Sequence, residues 1–397
     1  MTRPRLLCGS PALADRWLGG WRPGGPVPEV LLLLAATETA SVPGISAAGA
    51  TPESRRATAA ADAELLVLGP RGLRPHALPP LPAGVSPALI SHVVVDTLAL
   101  RPLVVDLGCA LAPAIPHLRL SAPAGGGPAR CLSTGTAMSP ARVAALLEQG
   151  RRWGRDLARR APRAPLLVAE CVPGGTTTAQ AVLCGLGVEA QGLVSGSLRQ
   201  PAHGLKGALV EQGAQGAALA LGGNGGNDPL AVASALGDPM QPLAAGLLLE
   251  AALADVPVML AGGSQMAAVL ALALALASPH QRPRLVAATA LATTRWVAEE
   301  PGSDLVRLLH QLAQRWELEP LAFASSLRFS SPSCHPALAD YEEGFVKEGV
   351  GAGGLALLWE MGGRTPEELA TSCSAACHQL LPAPSVLSVQ RLRSTHG

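Results

Sequence analysis

The sequence predicts an α/β fold: a doubly wound, mostly parallel sheet flanked by helices, Rossmann-like in layout, with a small helical annex built from the terminal segments. Two observations carry that expectation. Short apolar runs without polar alternation, bounded by glycine or proline, recur along the 397 residues, which suits strands buried on both faces. Longer stretches with helical spacing separate many of them. Strands alternating with helices build a sheet whose ligands sit at the carboxyl ends of the strands.

The candidate strands are, in order, EVLLLLAAT from Glu29, ELLVLG from Glu64, PLVVDLG from Pro102, PLLVAE from Pro165, GAALALGG from Gly216, PVMLAGG from Pro257, RLVAATA from Arg284 and LAFASSL from Leu321. Ser139 and Pro140, a cap followed by a first-turn proline, start a helix over ARVAALLEQGRRWGRDLARR. QPLAAGLLLEAALA from Gln241 reads as a second helix and the run from Met266 to Ala277 as a third. At twelve residues that last run is short of the roughly twenty needed to span a bilayer, so it is a buried helix. GISAAGATPESRRATAAADAE from Gly44 and RFSSPSCHPALADYEEG from Arg328 read as loops or short helical excursions. No fixed-period repeat or polar linker divides the chain, so residues 1–397 are expected to form one domain.

Composition narrows the function classes. Thirty Lys and Arg against 29 Asp and Glu leave a net charge of +1, which gives no footprint for nucleic acid and no polybasic membrane patch. Gly and Pro make up about a fifth of the chain, but 48% hydrophobic content excludes disorder. Eight scattered cysteines read as small core hydrophobes in a reducing compartment. MTRPRLLCGSPALADRW has no apolar core of signal-peptide length, so a cytoplasmic protein is expected. Cys373, Cys377 and His378 lack a second ligand pair; no metal and no cofactor are expected.

Four segments could carry chemistry. In LLVAECVPGGTTTAQAVL a strand ends at Glu170, and Gly174, Gly175, Thr176 and Thr177 open a helix whose free amides favour an anion. It is not a Walker loop, and it equally suits a plain strand-to-helix turn. In VSGSLRQPAHGLKG, Gly196 and Ser197 could supply donors and Lys206 a cation for phosphate, although a lone lysine also suits solvent. Two further glycine turns follow apolar runs, LGGNGGNDPL from Leu221 and LAGGSQMAA from Leu260, the latter with Gly262, Gly263 and Ser264 before a helix. In FVKEGVGAGGLALLWEM, Gly349, Gly351 and Gly354 satisfy G-x-G-x-x-G, yet the charged YEEGFVKE before them is no buried strand, so the dinucleotide reading fails. Glu348, directly before that loop, is placed to face a ligand and accept a proton.

Taken in order, VAECVPGGTTTAQAVL, VSGSLRQPAHGLKGALV, the NDPLAVASALGDPMQPL to MLAGGSQMAAVLAL stretch and FVKEGVGAGGLAL resemble the nicotinate-nucleotide–dimethylbenzimidazole phosphoribosyltransferase family. The likeness spans Leu166 to Leu358, and PGISAAGATPE from Pro43 looks like that family's divergent archaeal and cyanobacterial branch. The resemblance implies transfer of the phosphoribosyl group of nicotinate mononucleotide to a benzimidazole-type or purine base, for the nucleotide loop of cobalamin-type corrinoids. It implies Glu348 as general base, Glu170 as the second active-site glutamate, sugar and phosphate against Gly174, Gly175, Thr176, Thr177, Gly196, Ser197, Lys206, Gly262, Gly263 and Ser264, and substrate binding at Gly349 and Gly351. It also implies a homodimer with small-molecule substrates only. The family commonly has Asp-Gly where this chain reads Ala261-Gly262, and Cys-Val-Pro-Gly-Gly follows Glu170 in place of Met-Gly-Ile-Gly-Asn. Loss of that Asp leaves a non-catalytic nucleotide-binding or regulatory homologue as the alternative.

Overall fold

The computed structural model describes residues 4–162, 164–222 and 226–381. Eight strands form one sheet: β1 (Arg5–Cys8), β2 (Glu29–Leu34), β3 (Leu103–Asp106), β4 (Leu118–Arg119), β5 (Leu166–Cys171), β6 (Val258–Ala261), β7 (Thr289–Thr293) and β8 (Leu321–Ala324). Their order is β1-β8-β7-β6-β5-β2-β3-β4. All neighbours are parallel except the β1–β8 pair, which is antiparallel at one edge. The chain winds outward from β2 through β3 to β4, then returns to the other side of β2 with β5 and winds outward again. The reversal therefore lies between β2 and β5, where Leu33 is in register with Glu170, and a crevice opens at such a point in a doubly wound sheet.

The central strands are apolar throughout because helices cover both faces. One core cluster gathers Leu31, Leu33, Val168 and Leu260 with the helices Pro140–Arg160, Met240–Leu253 and Ser264–Leu276. The other gathers Leu32, Leu34, Ala169 and Met259 with the helices Thr58–Leu68, Ala88–Thr97 and Ala352–Met361. The Pro140 and Met240 helices touch along glycines: a Cβ on Gly150 would stand 2.0 Å from the Leu243 carbonyl, so the two backbones approach closely. The terminal annex comprises the helix Pro11–Leu18 and the helix Pro366–Leu380, the latter packed on the Ala88 and Ala352 helices.

Three strand expectations need correction. ELLVLG from Glu64 is the end of the helix Thr58–Leu68, buried on nearly all sides; a short apolar run does not by itself separate a buried strand from a buried helix, and the preceding alanines favour the helix. GAALALGG from Gly216 forms no strand, because Ala218 turns left-handed (φ 53°) and the Leu219 N–H returns to the Ala214 carbonyl, closing the helix His203–Gly216. RLVAATA begins in the helix Arg282–Ala288, started by Pro283, and only Thr289 onward joins the sheet. Strands β1 and β4 lie at the two sheet edges and are largely unburied, so neither carries the apolar run that marks the inner strands. The turn LGGNGGNDPL falls partly outside the described residues, at 223–225. Among the described residues no helix is long and apolar enough to cross a membrane.

Candidate active site

The crevice at the β2–β5 reversal is a cavity of about 300 Å³. Strand β5 delivers Glu170 to it. Gly174, left-handed at φ 79°, turns the chain into the helix Gly175–Gly185, and a side chain on Gly175 would collide with Gln265, its Cβ only 1.8 Å from Oε1. Strand β6 leads to the helix Ser264–Leu276. The amino ends of both helices line the cavity with Gly175, Thr176, Gly263 and Ser264, and that is where an anion gains from free amides and aligned peptide dipoles. Gly196 and Ser197 form a neighbouring wall. The Ser197 hydroxyl accepts the Ala47 N–H at 2.8 Å and meets the Ser46 hydroxyl at 3.1 Å.

Glu348 and Gly349 enter the same cavity from the far end of the chain. The Val350 N–H donates to the Glu170 carbonyl at 2.9 Å, which brings the two glutamate-bearing segments side by side. Glu348 is partly exposed and held from four directions. Its Oε2 accepts from the Thr294 N–H (2.9 Å) and the Thr293 hydroxyl (3.1 Å), and its Oε1 from the Gly349 and Gly353 N–H groups (both 3.1 Å). Gly353 must be glycine, since a Cβ there would lie 2.1 Å from the Thr293 carbonyl carbon and 2.5 Å from Glu348 Oε2.

The two carboxyls differ electrostatically. Glu170 is 2% exposed. Burial first, then the charges of Glu348 and Asp238, push it up to about 8, against the Val172 N–H (3.0 Å) and the Gln265 side chain. Burial also raises Glu348, but its backbone and threonine donors oppose the rise. When one proton is shared by the pair, Glu170 is the site that keeps it and Glu348 the one that ionises.

Four expected site residues sit behind the walls of this cavity. Thr177 is buried in its helix, Gly262 backs onto Met266, and Gly351 packs against Ala169 and Ala261. Lys206 is fully buried and donates to the Ser195 carbonyl at 2.6 Å instead of reaching into the cavity; burial lowers it to about 7 against the pull of Glu300, with Lys347 lowering it further. Ala261 faces the Ala352 helix, where a Cβ on Gly354 would stand 2.4 Å from its own, so a carboxylate here would have to displace that helix.

Sequence reasoning missed the wall built before β3. Asp62 and Ser86 line the cavity amid Leu78, Pro79, Pro80, Leu81, Val85 and Pro87, with Leu380 and Leu381 from the annex. The Asp62 carboxylate accepts from the Ser86 hydroxyl at 2.6 Å and, weakly, from the Cys171 thiol at 3.6 Å. Burial raises it to about 6 despite both donors. The available signal was the first acid in ATAAADAELL, one of three polar positions (with Thr58 and Glu64) in an alanine-rich helix.

Residues 91–293 match the family model described as phosphoribosyltransferase. The UPF0284 protein of Prochlorococcus marinus (strain MIT 9313) is 52% identical over 377 residues, covering 93% of this chain and 91% of its own. That of Gloeobacter violaceus is 46% identical over 92% of this chain and 91% of its own. The solved CobT of Thermus thermophilus shares the fold, with a TM-score of 0.56, 20% identity, and 94% of this chain and 92% of that one covered. A second solved structure from that organism, titled a nicotinate-nucleotide–dimethylbenzimidazole phosphoribosyltransferase, aligns with a TM-score of 0.53 at 19% identity, over 93% of this chain and 88% of that one. The model match covers just over half of the chain, which belongs to the phosphoribosyltransferase family of the nicotinate-nucleotide–dimethylbenzimidazole type and, with its relatives, to the UPF0284 proteins.

Proposed function

We propose that the protein transfers the phosphoribosyl group of nicotinate mononucleotide to a ring nitrogen of a benzimidazole-type or purine base, yielding an α-ribotide phosphate and nicotinate for cobalamin-type nucleotide-loop assembly. The observation that carries this reading is the convergence of Glu170 and Glu348 on one cavity that also receives two helix amino ends. The phosphate would lie against the amides at Thr176, Gly263–Ser264 and Gly196–Ser197. The flat acceptor would lie against the apolar Leu78–Pro87 wall, its polar edge toward Asp62 and Ser86.

The bond between C1′ and the pyridinium nitrogen breaks, its electron pair going to that nitrogen. The departing nicotinate ring becomes neutral and needs no acid to leave. The new bond forms between C1′ and the imine-type ring nitrogen of the acceptor, whose in-plane lone pair attacks, while the N–H proton of its other ring nitrogen passes to Glu348. Such a base contributes about 10²–10⁴ in rate, and alignment of the two substrates supplies much of the rest. Glu170, holding the shared proton, keeps the glutamate pair at one negative charge beside the donor phosphate. A homodimer is part of this reading and is measured by light scattering.

Incubation with nicotinate mononucleotide and a panel of bases, with products identified by mass, tests the assignment. Nicotinate should appear only when an acceptor is present, together with the matching ribotide. Tight mononucleotide binding without release would favour the non-catalytic homologue. The Ala261 substitution that suggests such a homologue lies against the Ala352 helix, away from the cavity lining.

A further inference from the structure

Beneath the Ser195–Ser197 turn lies a charged cluster that the transfer chemistry above does not use. Lys206 and Lys347, 0% and 1% exposed, surround one buried carboxylate, Glu300. The Lys347 ammonium lies 3.0 Å from Glu300 Oε1 and donates to the carbonyls of Leu198 (2.6 Å) and Gly344 (2.9 Å). Glu300 Oε2 accepts from the hydroxyls of Ser195 and Ser303. The Val346 N–H adds a rung to the Ser197 carbonyl at 3.1 Å. The Lys347–Leu198 and Val346–Ser197 bonds directly, and the Ser195–Glu300–Lys347 chain through Glu300, join the turn at 195–198 to the segment 344–347 that precedes Glu348.

Burying ammonium groups costs several kcal/mol each before pairing, and these direct their donors at backbone carbonyls and Glu300. We propose that Lys347 and Glu300 are positioning residues that couple phosphate occupancy at Gly196–Ser197 to the placement of Glu348. The inference rests on the phosphoribosyl-transfer reading and adds a pair of residues outside the expected site. A phosphate settling on the turn fixes the Ser195, Ser197 and Leu198 backbone, which in turn fixes Lys347 and, one residue on, the base. Lys206 sits under the same turn, its ammonium 3.4 Å from where a Gly196 Cβ would be. A phosphate dianion nearby favours its charged form and tightens the same bonds.

The test compares nicotinate mononucleotide with nicotinate riboside, which lacks the phosphate, in wild type, Lys347→Met and Glu300→Gln. The ratio of the two substrates' kcat values does not depend on how much enzyme is folded. Wild type should show a phosphate advantage in kcat, and both variants should shrink that advantage at least tenfold while the mononucleotide KM changes less than threefold. Should Lys347→Met fail to fold, the double variant Lys347→Met/Glu300→Gln removes both partners of the ion pair and carries the same expectation. Equal loss of kcat for both substrates would make the cluster mere support, and a raised mononucleotide KM at unchanged kcat would make it a direct binding charge; either overturns the inference. A wild type equally fast on both substrates also overturns it. No release from the mononucleotide with any base instead sinks the transfer reading itself, and the inference with it.

Discussion

Replacing Glu348 by glutamine keeps the shape of the side chain and removes its ability to take a proton. The local cost follows from its four donors. Oε1 faces two backbone N–H groups, which cannot turn away, so the amide oxygen must occupy that side. The amide nitrogen then faces the Thr293 hydroxyl, which can rotate and accept, and the Thr294 N–H, which is left without a partner. One orphaned buried donor costs about 1–3 kcal/mol. With about 2.1 cal/mol/K of unfolding entropy per residue, a chain of 397 residues loses only about 1–4 °C of melting temperature for that cost. Turnover should fall by about 10²–10⁴. The assay pairs nicotinate release at saturating base with a thermal melt. A fall of less than tenfold, or a loss of activity matched by loss of folded protein, would remove Glu348 from the base role.

Glu170→Gln addresses the neighbouring carboxyl. Its folded pKa of about 8 lies above the ordinary glutamate value, so its contribution is fully present below about pH 4.5 and is lost as pH rises through 8. The variant should therefore show a flatter decline of melting temperature between pH 5 and 8.5 than wild type; parallel profiles would refute the assignment. Asp62→Ala should raise the acceptor KM several-fold and leave the mononucleotide KM within twofold, read from initial rates with each substrate varied; a change confined to the mononucleotide would move Asp62 to the donor end. Gly353→Ala forces a methyl group into the Thr293–Thr294 backbone and should lower both melting temperature and turnover, the latter at least a hundredfold. Wild-type values would show that the turn yields freely.

The sequence made the Glu170 side of the cavity legible because its chemistry is local. A strand ending in an acid, a glycine turn and a helix start occupy ten consecutive residues around Glu170, and the same grammar repeats at Gly262–Ser264. The wall that carries Asp62 was illegible for the opposite reason. Asp62 becomes a cavity residue only when the Thr58 and Ala88 helices pack together, and an alanine-rich segment carries no periodicity that announces this. Lys206 shows a different failure: a lysine next to a glycine turn looks like a phosphate ligand, yet its ammonium is engaged by the Ser195 carbonyl beneath that turn. One-dimensional proximity gave the neighbourhood correctly and the direction wrongly.

The wall from Leu78 to Pro87 comes from chain inserted between β2 and β3, while the glycine turns follow β5 and β6 and the glutamate turn precedes the Ala352 helix. On the proposed reading, tolerance for one heterocycle over another can thus drift in a segment that shares no strand with the glycine turns. Chimeras exchanging residues 70–87 between relatives should trade their taste in acceptors while leaving untouched the grip on the nucleotide they consume.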